Sequence, residues 1–181
     1  MSTSARSPIR EMPEVAQIFS AFLAETDAAL AEPFRGVTTD GVVRGRTPWR
    51  TSMATEAIRE PAAAFLDSLD TPTRTRVSFP FESNEWRSWF NPHFNAYRHG
   101  VMLEELPSAR RNRFLDLLRV TLSPRGYNQA RDIMRLNQML AEVTGRTDDF
   151  GEWPYFVSFF GQPSVDAPRG FQLDGHHLAI N

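Results

Sequence analysis

A chain of 181 residues, 41% hydrophobic and 12% aromatic, can bury one real core, and a single domain is the expectation. Its net charge of −2 supplies no broad basic field for nucleic acid, and no apolar run is long enough to span a bilayer. The chain has no cysteine and its 20 basic residues are all arginine, which excludes thiolate nucleophiles, cysteine metal sites, Schiff-base lysines and a phosphate-loop lysine.

Residues 1–10 are serine-rich, lack the apolar run of a signal peptide and are expected to be disordered, leaving 11–181 as one domain. Met12 to Ala31 carries Val15, Ile18, Phe19, Phe22, Leu23 and Leu30 at helical spacing, and Pro33 stops it. Thr38-Thr-Asp-Gly41 is a turn signal, followed by an irregular Gly45 to Pro48. A second helix is expected from Ser52 or Thr55 to Leu69, with Ile58, Ala62, Phe65, Leu66 and Leu69 as its stripe and a kink or break at Pro61. Val77 to Phe81 fits a strand or the end of a helix starting at Pro72. Glu85 to Pro92 sets Trp86 and Trp89 around Arg87, as an irregular strand or one helical turn.

Two further helices are well marked. Ser108 to Leu122 lines Phe114, Leu117, Leu118 and Leu122 along one side, with Arg110, Arg111 and Arg113 facing water. Ser123-Pro-Arg-Gly126 is a cap-like start for Tyr127 to Val143, which ends at Gly145, so the pair reads as an antiparallel helical hairpin. With helices mostly first and strands last, the expected fold class is α+β: a helix-rich N-terminal and central part and a small, mainly antiparallel sheet that includes the C-terminal strands.

The last strand-like stretch, Phe171 to Asn181, holds two of the four histidines, His176 and His177. Its apolar phase flips: Phe171 and Leu173 are odd, Leu178 and Ile180 even. A bulge at Gly175 explains this and puts Gln172, Asp174, His177 and Asn181 on one polar face, with His176 in or beside the bulge. A tight hairpin with Asp174-Gly175 as its loop is the rival. Functionally, His177 and His176 are candidate catalytic residues and metal ligands for a divalent transition metal, with Asp174 orienting an imidazole. Arg98 is the candidate for binding an anionic group, and Trp89 for packing on a small-molecule substrate. His93 and His99 are weaker metal candidates. Gly161-Gln-Pro-Ser-Val lacks the frame of a nucleophile elbow. Trp86, Trp89, Phe90, Phe94 and Tyr97 read as core aromatics with snorkelling arginines rather than as a platform for single-stranded bases.

Phe34-Arg-Gly-Val-Thr-Thr-Asp-Gly41, Ala62-Ala-Ala-Phe-Leu66, Trp86-Arg-Ser-Trp89, Leu122-Ser-Pro-Arg-Gly126 and Leu173-Asp-Gly-His-His-Leu-Ala-Ile-Asn181 together resemble the bacterial family catalogued as domain of unknown function 3500. Arg169 and Phe171 depart from the resemblance, standing where relatives often carry tryptophans, which implies an altered pocket wall. The resemblance supplies no reaction. It implies that relatives continue past Asn181 into a further half, so self-association or pairing with that half is expected, with no nucleic-acid or membrane partner. The expected setting is soluble and cytoplasmic. Two functions remain open: a metal-assisted, hydrolase-like enzyme using the histidine pair, and a non-catalytic binding or structural domain in which the histidines form a polar packing network.

Overall fold

The computed structural model describes residues 13–33, 56–92, 96–164, 167 and 169–181. The turn at Thr38–Gly41, the irregular Gly45–Pro48, the disordered start expected at 1–10, and His93 and Phe94 lie outside the described residues. The architecture is α+β, with five α-helices and a five-stranded mixed sheet among the described residues. No helix among them is long and apolar enough to cross a membrane.

Helix α1 (Pro13–Ala31) buries Leu23, with Val15 and Phe19 beside it. Helix α2 (Glu56–Asp67) runs through Pro61 without breaking. Its stripe of Ala62, Phe65 and Leu66, continued by Leu69, enters the core, and that burial outweighs the one backbone bond a proline withholds. Asp70 then caps α3 (Thr71–Val77): its carboxylate accepts from Thr73 N at 3.0 Å, with Pro72 in the first turn. The chain passes directly from α3 into β1 (Ser78–Phe79), so the ambiguous stretch around Val77 holds both a helix end and a strand.

The segment from Asn84 forms one 3-10 turn to Arg87, and β2 (Val101–Met102) follows. Helix α4 (Ser108–Thr121) and helix α5 (Pro124–Thr144) match the apolar periodicity closely. Ser123 Oγ accepts from Gly126 N at 3.1 Å to start α5, and Gly145 ends it at φ 68. The chief helical partner of α4 is α2 rather than α5.

Strand β3 (Tyr155–Phe160) is the centre of the sheet, and all six of its residues are buried. Antiparallel β4 (Gly170–Gly175) fills one edge; the other is shared by antiparallel β2, at Val157 and Phe156, and parallel β1, at Phe159 and Phe160. The short β5 (Leu178–Ile180) pairs antiparallel with β4. Because side chains alternate across a strand, the sheet has two unlike faces. Tyr155, Val157, Phe159, Phe171, Leu173, Leu178 and Ile180 pack on the helices. There Phe65 sits between Phe114, at a ring separation of 5.3 Å, and Phe159, at 5.6 Å. Phe171 meets Phe114 edge-on at 5.9 Å, so this departure from the family pattern lies in the helical core and not in a pocket wall.

Phe114 and Leu118 are fully buried. Phe114→Ala or Leu118→Ala should each cost about 2–5 kcal/mol in chemical denaturation, as cavity-forming changes do; a loss under about half a unit at both would contradict the packing of α4 described above.

Candidate functional site

The two histidines make the turn between the last two strands. Gly175 pairs with Leu178, leaving His176-His177 as a two-residue loop, and His177 adopts a left-handed φ of 59°. Histidine is among the few residues enriched there, and the turn needs a positive φ at that place. The expected bulge at Gly175 is therefore absent, and the rival Asp174-Gly175 loop is displaced by two residues. The phase flip comes from the reversal itself: Leu173 pairs with Ile180 and Asp174 with Ala179, so odd positions face even ones. Gly175 serves by close approach, since a Cβ there would lie 2.5 Å from the Tyr155 ring.

His176 is half-buried and its environment fixes its proton. Asn137 Nδ2 donates to Gly151 O at 2.7 Å, so Asn137 Oδ1 is an acceptor, and His176 Nδ1–H donates to it at 2.8 Å. The lone pair is left on Nε2. The ring lies near Phe150, at 5.4 Å, and stacks on His177 at 4.0 Å. Burial, reinforced by the His177 charge, pushes His176 down to about 4. Tyr155 Oη donates to His176 O at 3.1 Å, and burial raises the Tyr155 phenol further above its usual range, against a smaller opposing pull from Arg131. His177 is exposed, and its N–H donates to Asn91 O at 2.8 Å.

On the sheet face away from the helices, β4 places Gln172 and Asp174 side by side, Ser158 lies across from Gln172, and Phe156 lies across from Asp174. Ser158, Gln172 and Asp174 are no more than 2% exposed. Residues 86–92 and 96–100 cover them. Gln172 Nε2 donates to Trp86 O at 2.8 Å and to Asn181 Oδ1 at 2.6 Å, and Phe90 N donates to Asp174 Oδ2 at 3.2 Å. Helix α1 lies outside this cover: Arg87 donates to Ala29 O at 2.9 Å and Glu32 O at 3.0 Å, at the carbonyl end of the helix, and Tyr97 Oη donates to Asp27 at 2.9 Å. Phe90 packs against Phe19 and Phe22.

Since Gln172 Nε2 is committed to two acceptors, its Oε1 must accept from His99 Nε2–H, at 2.9 Å. Three buried polar atoms on this face have no hydrogen-bond partner among the described residues: His99 Nδ1, Ser158 Oγ and Asp174 Oδ1. Buried groups are uncommonly left this way, and each calls for a water, an ion, a ligand or a chemical role to account for it. Burial pushes Asp174 up to about 7, only partly offset by the Phe90 N–H. Burial also lowers His99, against smaller upward pulls from Gln172 and the Glu85 carboxylate.

Of the residues singled out from the sequence, Asp174, Gln172 and Asn181 share this face, while His177 sits in the turn beyond it. Asp174 hydrogen-bonds to Phe90 N and, among the described residues, to no imidazole. Arg98 is exposed with its guanidinium 5.7 Å from the Phe156 ring centroid, and Phe156 is the cross-strand neighbour of Asp174. Trp89 is 42% exposed on the covering segment. Ser158 escaped the sequence reading, although a lone serine inside Tyr155-Phe-Val-Ser-Phe-Phe160 was its signal. His176 and His177 stack on each other, and no group of three His, Cys, Asp or Glu that could hold a metal ion occurs among the described residues.

The fold and site define an α+β protein with one apolar and one buried polar sheet face, the latter closed by a tryptophan-bearing segment. The family model described as "Protein of unknown function (DUF3500)" matches residues 51–181, and the chain belongs to that family. No curated protein and no solved structure matches it.

Two stability measurements bear on this geometry. Asp174 has its native value raised from 3.8 to about 7, so its contribution is full below pH 3.8 and is lost as pH rises through 7, by at most about 4 kcal/mol. Asp174→Asn should remove that decline in denaturation curves taken between pH 4 and 8. His176 acts oppositely, its contribution being lost as pH falls from 6.5 through about 4. His176→Ala, which strands Asn137 Oδ1, should cost about 1–3 kcal/mol, and His177→Val should cost about 1–2 kcal/mol more than His177→Asn because a β-branched residue resists the left-handed turn.

Proposed function

We propose that the buried polar face is the working site of a hydrolase-like enzyme in which Asp174 is the general acid–base group. The observation that carries this reading is a carboxyl group 2% exposed with one oxygen lacking any partner among the described residues. A carboxyl held near 7 can hold and release a proton at neutral pH, the property asked of a catalytic acid or base. Arg98, whose guanidinium lies 5.7 Å from the Phe156 ring, is the cation for an anionic part of a substrate, and Trp89 offers an exposed aromatic surface on the cover.

The metal-assisted form of this reading has one point in its favour. Asn137 holds the proton on His176 Nδ1 and leaves the lone pair on Nε2, as second-shell partners of ligating histidines do. Low proton affinity keeps that imidazole neutral. Further ligands would have to come from outside the described residues, so no step is assigned to a metal. The non-catalytic reading is favoured by the same bond: joined to Asn137 and packed on Phe150, His176 also suits a structural polar network.

Turnover of p-nitrophenyl esters, phosphates and glycosides from pH 5 to 9 tests the proposal. Wild type should turn over at least one class with an inflection near pH 7, and Asp174→Asn should lower kcat about 100-fold or more with its circular dichroism unchanged. Equal rates in both proteins, or no turnover of any class, would overturn it. Metal content of purified, untagged protein, with and without His176→Ala, decides the metal-assisted form: stoichiometric metal lost in the variant supports it, and metal-free active protein ends it.

A further inference from the structure

The buried polar face holds more than Asp174. Gln172 has its amide fixed by the Trp86 carbonyl, and through Oε1 it fixes the tautomer of His99: proton on Nε2, lone pair on Nδ1. That lone pair is buried and has no hydrogen-bond partner among the described residues, and neither has the hydroxyl of Ser158. The two belong to one small region. Ser158 is the direct cross-strand partner of Gln172 on the same face, and His99 Nε2 lies 2.9 Å from the Gln172 carbonyl. Gly100, next to His99, approaches so closely that a Cβ there would sit 2.4 Å from Ser158 Oγ and 2.0 Å from Val157 O. At φ 76 it is also in the left-handed region. A side chain at position 100 would push the His99 strand end away from Ser158.

We propose that Ser158 and His99 are a nucleophile and its general base, positioned by Gln172, and that the substrate is a carboxylic ester or amide. The arrangement has the three parts such chemistry needs: a hydroxyl, an imidazole with a bare nitrogen in the same small region, and a third group that fixes the tautomer. Here the orienting residue holds Nε2 and leaves Nδ1 as the base, the reverse of the commoner serine–histidine arrangement. The orienter is neutral, so the imidazolium formed in the reaction draws its charge stabilisation from the Glu85 carboxylate, which acts on His99 through space. Ser158 Oγ and His99 Nδ1 do not hydrogen-bond to each other in this unliganded structure, and catalytic bonds of this kind are often long until substrate tightens them.

The step balances with water alone. Ser158 Oγ attacks the acyl carbon while its proton passes to His99 Nδ1. The bond from that carbon to the leaving oxygen or nitrogen breaks, and the leaving group takes the proton from Nδ1. A water molecule then gives a proton to the same nitrogen as it attacks the acyl–serine ester, and the proton returns to Ser158 as the acid departs. Asp174 stands along the same face to serve the leaving group or the developing oxyanion, so the inference rests on the reading of this face given under Proposed function.

Phenylmethylsulfonyl fluoride tests the serine step directly on the whole chain, because it forms a stable adduct only with an activated hydroxyl. Intact-mass and peptide analysis should show one adduct, on Ser158. Ser158→Ala should take none, and His99→Gln, which keeps a donor for Gln172, should label about 100-fold more slowly. Glu85→Gln should slow labelling less than His99→Gln does. Native protein that stays unlabelled at Ser158, or labels there equally fast without His99, overturns the inference whatever the variants' stability. If Ser158 is unlabelled but Asp174-dependent turnover is present, only the serine step falls; if both are absent, the reading of the whole face falls with it.

Discussion

The turn at His176-His177 sets the arrangement on which the rest of the molecule depends. A two-residue reversal pairs odd positions of β4 with even positions of β5, so Leu173 meets Ile180 on the helical side while Gln172 and Asn181 bond on the other. Moving the loop by one residue on one strand would turn every side chain of that strand over. The turn is held by a left-handed His177, by Tyr155 Oη on the His176 carbonyl, by the Asn137 bond to the His176 ring, and by the His177 amide on Asn91. The histidine pair thus has a structural reason to exist whether or not it takes part in chemistry.

The polar face is closed over rather than left open to water. Three side chains buried to 2% exposure or less need a cover, and the covering segment is attached through them: Gln172 to the Trp86 carbonyl, Asp174 to the Phe90 amide, and the turn to Asn91. The cover is in turn pinned by α1, whose last carbonyls receive the Arg87 guanidinium. This layering, with Phe90 packed on Phe19 and Phe22 of α1, gives the site low dielectric, and it explains why burial dominates the shifts at both Asp174 and His99. The uncompensated polar atoms are concentrated on this face, whereas the helical side of the sheet is filled by Phe65, Phe114, Phe159 and Leu173. One face of the sheet thus carries the packing, and the other carries the buried polar groups.

Much of this was legible in the chain itself. The periodicity of Phe114, Leu117 and Leu118, the Ser123-Pro124 start and Gly145 stop, and the polar alternation of Gln172 and Asp174 are local signals, and local backbone preference with one-sided burial is enough to produce them. The chain also carried the phase flip at its end and the resemblance that the family match bears out. What it could not decide was any feature set by a distant partner. Proline at position 61 reads as a breaker until Phe65 and Leu66 are seen buried under α4; Gly175 reads as a bulge until the Tyr155 ring is seen against it. Ser158, His99 and Gln172 are separated by up to 73 residues, from His99 to Gln172, and only the pairing of β3 with β4 and the bond from His99 to Gln172 bring them together. Tautomers, orphaned lone pairs and raised carboxyls arise from which groups meet in the folded interior, and that is a property of the tertiary structure alone.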